Sequence, residues 1–169
     1  AQLPAAQPHF TGRHARVAQL MTAITTADGR VPPIVTVTGV GGVGKTALAL
    51  HAAHRLADRY PDGQLYVDLR GAGPEPADPV EVLVTFLTAL GFPEGEIPET
   101  LDERAALFRS VVADRRLLLL LDNAASAAQL RPLIPGTPGC AVLATGRAAL
   151  WGLGAGADVD LDVLEPQEA

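Results

Sequence analysis

Residues 34–50 read IVTVTGVGGVGKTALAL, three kinds of sequence laid end to end. Ile34 to Thr38 is a β-branched run of the kind that fits a strand. Gly39 to Gly44 (GVGGVG) lets the backbone bend without Cβ clashes. From Lys45 onward Ala and Leu dominate, both strong helix formers. A strand, a glycine loop and a helix in that order aim backbone N–H groups at one point beside a helix N-terminus, where an anion is held. Lys45 is the chain's one lysine, the other twelve of its thirteen basic residues being arginines. A compact ammonium on a flexible stem fits a tight phosphate cradle, and a guanidinium fork does so poorly.

Gly39, Val40, Gly41, Gly42, Val43, Gly44, Lys45 and Thr46 match G-x-x-x-x-G-K-[ST], a loop that cradles nucleotide phosphates. Lys45 is expected at the β- and γ-phosphates and the Thr46 hydroxyl on Mg²⁺, with Ala47 completing the nucleotide-contacting stretch. Two other readings compete. Gly39, Gly41 and Gly44 also satisfy the dinucleotide fingerprint G-x-G-x-x-G, with Asp68 as the ribose acid, but that fingerprint has no need of Lys-Thr after its last glycine. The third reading is a glycine turn without a ligand.

The rest of the chain supplies a matching frame. Leu117 to Leu121 (LLLLL) and Ala141 to Thr145 (AVLAT) are continuous apolar runs, as parallel strands covered on both faces require. Gln64 to Leu69 and Asp158 to Leu164 alternate and read as two more strands. Helices are expected over Arg13 to Thr25, Lys45 to Arg59, Asp78 to about Leu90 with Pro79 in the first turn, Asp102 to Ala113, and Ala124 to Leu130. Gly71 to Pro79 and Phe92 to Thr100 read as loops within one domain. Strand-helix alternation of this kind predicts a doubly wound α/β sheet.

A phosphate loop calls for an acid at the end of a second buried strand, holding Mg²⁺. Asp122, directly after Leu117 to Leu121, has that place; its other reading is a helix cap. The next residue is Asn123, an amide where related ATPases commonly carry the acid that activates water, so slow hydrolysis is expected. Arg147 ends the VLATGR stretch. In a parallel sheet the strand ends share one edge, so Gly39, Asp122 and Arg147 converge there, and Arg147 is expected to sense the γ-phosphate. Its other reading is a surface arginine. Asp122 and Arg147 are thus the catalytic candidates, and Thr46 and Asp122 the metal-binding ones.

Composition narrows the function. Hydrophobic residues make up 48% and charged residues 19% of the 169, which suits one packed domain and not a disordered one. A net charge of −6 argues against a nucleic-acid surface in this domain. The chain has no run of about 18 apolar residues and no signal-peptide pattern at AQLPAAQPHF, so a cytoplasmic protein with no membrane partner is expected. Cys140 stands alone, which excludes an internal disulfide. His51 and His54 share a helix face without further ligands nearby, and Asp158, Asp160 and Asp162 lack the Gly and Glu of a calcium loop. Ser110 and Ser126 lie in helix-like stretches with no triad pattern.

Four segments in order, LPAAQPHFTGR (Leu3 to Arg13), TGVGGVGKTALALHAAHRLADRYPDGQLYVDLRG, LLLLLDNA and PGCAVLATGR, resemble the NB-ARC nucleotide-binding domain. That domain belongs to the STAND class of P-loop NTPases, and the chain looks most like the bacterial branch in Streptomyces antibiotic regulatory proteins of the AfsR type. The resemblance implies a five-stranded parallel sheet in the order 5-1-4-3-2 with helices on both faces. It implies that Phe10, Thr11, Gly12 and Arg13 lie beside adenine and ribose, with residues 1–30 as an adenine-side segment and 31–169 as the P-loop core. Arg147 matches the sensor arginine, although Gly146 stands where many members have serine. The Asp122-Asn123 pair departs from the two-acid form of many relatives. An ATP/ADP switch is implied, excised from a larger regulator that contacts DNA through other domains and self-associates with ATP bound.

Overall fold

The computed structural model describes residues 2–5, 14–26, 29–39, 44–147 and 157–160. Five strands, β1 (Ile34–Thr38), β2 (Gly63–Asp68), β3 (Leu117–Ala124), β4 (Ala141–Gly146) and β5 (Ala157–Asp160), form its sheet. Every neighbouring pair is parallel. β2, β3, β4 and β1 form the body of the sheet in that order, and the short β5 lies along the outer edge of β1. The strand expected from Asp158 begins one residue earlier, and its continuation from residue 161 lies outside the described residues.

Among the described residues five α-helices accompany the sheet: α1 (His14–Thr25), α2 (Lys45–Leu56), α3 (Pro79–Ala89), α4 (Leu101–Val112) and α5 (Ala127–Leu130). Their starts follow local chemistry. The Asp78 side chain accepts from Val80 N at α3, Thr100 from Glu103 N at α4, and Ser126 from Gln129 N at α5. These caps satisfy donors that a first helical turn leaves unpaired. The α5 cap also corrects the expected helix from Ala124: β3 continues to Ala124, and the helix waits for the hydroxyl of Ser126.

The leucine run explains why the sheet is covered twice. Side chains alternate along a strand, so Leu117, Leu119 and Leu121 join the core cluster containing Leu83 and Phe86 of α3 and Phe108 of α4. Leu118 and Leu120 join the opposite cluster, with Leu20 of α1 and Leu48 and Leu56 of α2. All five leucines are buried. Removing a side chain of this kind to Ala costs about 2–5 kcal/mol, so the run alone anchors both helical layers. It also brings the C-terminal ends of β1, β3 and β4 to one edge.

Candidate functional site

The described part of the glycine loop sits at that edge. Gly39 follows β1, and its N–H donates to Gly146 O at the end of β4 (3.2 Å). Gly44 precedes α2 with φ 85° and ψ 24°, left-handed backbone that glycine adopts without strain. No side chain caps α2, in contrast to α3, α4 and α5. The first-turn N–H groups and the positive dipole end are therefore presented to an anion. Lys45 Nζ donates to Gly39 O (2.7 Å), which turns the ammonium back towards the end of β1.

Asp122 is the focus of the hydroxyl groups. It is only 5% exposed, and a buried carboxylate demands donors. Thr46 Oγ1 donates to Oδ1 (2.9 Å) and lies 3.1 Å from Oδ2. Thr145 Oγ1 donates to Oδ1 (2.5 Å) and accepts from Asn123 N (2.8 Å). Tyr66 Oη donates to Oδ2 (3.1 Å). Burial, the Asp122 charge and the hydrogen bond to it, in that order, push the Tyr66 phenol far above its ordinary value, with a smaller push from Asp68. A threonine hydroxyl beside a carboxylate is the hard oxygen set that suits Mg²⁺.

Asn123 breaks the strand rhythm. It takes φ 57°, a conformation asparagine tolerates better than most residues, and the β3–β4 register shifts between Leu121 and Ala124. Beside this bulge the end of β2 is stitched to β3. Leu69 N donates to Asp122 O (2.8 Å) and Gly71 N to Asn123 O (2.7 Å). Gly71 is there by necessity: a Cβ would lie 2.4 Å from Ala124 C and Ala125 N. Buried Gln129 locks the loop from below. Its Nε2 donates to Leu69 O (3.0 Å) and Ala77 O (2.9 Å), and its Oε1 accepts from Ala125 N (2.7 Å).

These elements enclose a cleft of about 520 Å³ lined by Gly44, Lys45, Thr46, Ala47, Asp68, Ala72, Asp122, Asn123, Thr145 and Arg147. Lys45, Thr46, Ala47, Asp122 and Arg147 all line this cleft, with Arg147 exposed at the rim. Phe10, Thr11, Gly12, Arg13, Val40, Gly41, Gly42 and Val43 lie outside the described residues. Sequence reasoning assigned no role to Tyr66, Thr145 or Gln129. The alternation in QLYVDL was the available signal for the first, since it sets Tyr66 and Asp68 on one face. Elsewhere, His54 Nε2 donates to Pro4 O (2.6 Å), and burial followed by the Arg55 charge lowers the His51 pKa. Cys140 is buried, its thiol raised chiefly by that burial. Among the described residues no group of three or more His, Cys, Asp or Glu side chains is placed to hold a metal. No described helix is long and apolar enough to cross a membrane.

A glycine loop running into an uncapped helix, opposite a buried strand-end aspartate, defines a P-loop NTPase. The family model of the AAA ATPase domain matches residues 9–135, and the chain belongs to that family. More particularly, it is 57% identical over 169 residues to the regulatory protein AfsR of Streptomyces griseus, covering all of this chain and 17% of that protein. It is 54% identical over 174 residues to AfsR of Streptomyces coelicolor, covering all of this chain and 18% of that one. The chain therefore spans less than a fifth of the curated relatives it matches. Among solved structures it is similar in fold to Cdc6p of Pyrobaculum aerophilum, with TM-score 0.66, 18% identity, and coverage of 95% of this chain and 47% of that one.

Proposed function

We propose that this chain is the ATP/ADP-binding switch of a larger transcriptional regulator, an NB-ARC module of the STAND class with slow Mg²⁺-dependent hydrolysis at most. The observation that carries the reading is the pairing of Thr46 with Asp122 across the cleft, followed on the same strand by the amide of Asn123. The first two groups suit a magnesium nucleotide; the third withholds a base where one is expected. Lys45 meets the β- and γ-phosphates, Thr46 and Asp122 hold Mg²⁺, and Arg147 meets the γ-phosphate. Bound Mg²⁺ supplies charge neutralisation to the phosphate oxygens. Phe10, Thr11, Gly12 and Arg13 line the adenine side. Similarity along the whole chain to AfsR regulatory proteins supports the regulator reading; a cytoplasmic setting, DNA contact through other domains and self-association of the full-length protein with ATP bound belong to the same proposal.

The test begins with nucleotide carried through purification, released by denaturation and identified by chromatography. ADP or ATP is expected, and a folded Lys45→Ala variant is expected to lose Mg-ATP affinity. Unchanged affinity in that variant would overturn the site. A bound nucleotide that never exchanges would instead identify a fixed structural ligand, and rapid steady turnover a working ATPase.

A further inference from the structure

We infer that Asp68, on the strand next to Asp122, is the base of the slow hydrolysis, taking the place that Asn123 leaves without a carboxylate. The inference rests on the nucleotide-binding reading above and adds a catalytic residue to it.

Of the described residues lining the cleft, only Asp68 and Asp122 carry carboxylates. Asp122 is buried with both oxygens engaged by hydroxyls, and is committed to holding Thr46 and the metal. Asp68 is exposed and pairs with Asp122 in the β2–β3 register. It follows Tyr66 by two residues, so both side chains belong to the face of β2 from which Tyr66 reaches Asp122. That face is the one covered by α2, which carries Lys45 and Thr46.

The backbone holds this carboxylate in place at a cost. Asp68 Oδ1 accepts from Arg70 N (2.9 Å), and Arg70 takes φ 51°, a left-handed conformation disfavoured for a side chain of its kind. The bonds from Leu69 N to Asp122 O and from Gly71 N to Asn123 O, together with the close approach of Gly71, fix the turn against β3. Two left-handed residues, Arg70 and Asn123, thus flank the strand ends. Asp68 lines the cleft, and the hydrogen bond from Arg70 N is made to its Oδ1.

In the reaction, Asp68 takes a proton from water as the water oxygen bonds to the γ-phosphorus. The bond between that phosphorus and the β,γ-bridging oxygen breaks with its electron pair leaving on ADP. Inorganic phosphate departs, and the proton passes from Asp68 to solvent.

Asp68→Asn tests this, because the amide keeps an oxygen for Arg70 N and so preserves the turn. Single-turnover hydrolysis of Mg-ATP is expected to fall about 100-fold, the low end of general-base contributions, with Mg-ATP affinity and magnesium dependence of binding unchanged. Asp68→Glu is expected to retain part of the rate. Equal hydrolysis in parent and Asp68→Asn overturns the inference, as does loss of Mg-ATP binding in that variant. So does a parent that binds Mg-ATP yet hydrolyses it no faster than Lys45→Ala, an outcome that leaves the nucleotide reading standing. A parent that binds no nucleotide fails the underlying reading itself.

Discussion

Thr46, the second residue of α2, and Asp122, near the end of β3, stand 76 residues apart in sequence and 2.9 Å apart through Oγ1 and Oδ1. The contact joins the glycine loop to the leucine strand and sets two hard oxygens side by side. It is the structural reason that a hydroxyl and a carboxylate meet beside the start of α2.

Thr46→Ala therefore separates metal binding from stability. Asp122 keeps its bonds from Tyr66 and Thr145, so the loss in folding stability is expected to be about 0.5–1.5 kcal/mol, the worth of one hydrogen bond. Magnesium is expected to tighten ATP binding in the parent and to have little effect in the variant. Nucleotide titrations with and without the metal decide the point; superimposable magnesium effects in the two proteins would remove Thr46 from the metal site.

Tyr66 gives the fold a sensitivity to alkali. Its phenol is raised by burial first and by Asp122 second, so the folded form keeps its proton when the unfolded chain releases one. The contribution is complete below the unfolded value of about 10, and is lost as pH rises from there towards the higher folded value. Urea unfolding at pH ~9 and ~11 is expected to show this fall in the parent and a smaller one in Tyr66→Phe. Tyr60, also raised chiefly by burial, accounts for a remainder. Identical pH dependence in parent and variant would count against the Tyr66–Asp122 bond.

Gly71 and Gly73 make a matched pair for the stitched loop. A Cβ at Gly71 would sit 2.4 Å from backbone atoms of Ala124 and Ala125, whereas one at Gly73 would be 3.5 Å from Arg70 O. Gly71→Ala is expected to cost about 1–3 kcal/mol through overpacking, and Gly73→Ala to be nearly neutral. Denaturant midpoints of the two variants measure the difference; equal midpoints would show that β2 and β3 are not held this closely.

Much of this was legible before the fold. The IVTVT strand and the helix from Lys45 appear where their residues put them, because strand and helix propensities act locally. Asp78 and Pro79 start α3 as their chemistry predicts. The helix written from Ala124 was displaced because strand pairing outlasted Asp122 and a side-chain cap was available only at Ser126. The hydroxyls of Tyr66 and Thr145 escaped notice because nothing within either segment says which neighbouring strand it will face.

The order of elements and the two-sided burial of the leucine strand follow from adjacent residues and their period. Which hydroxyls hold Asp122, the bulge at Asn123 and the register of Asp68 beside Asp122 emerge from the packed fold alone. Those depend on strand register and on where separate elements cross. Register is settled by the packing of both faces of the sheet at once, a quantity that no single stretch of the chain contains.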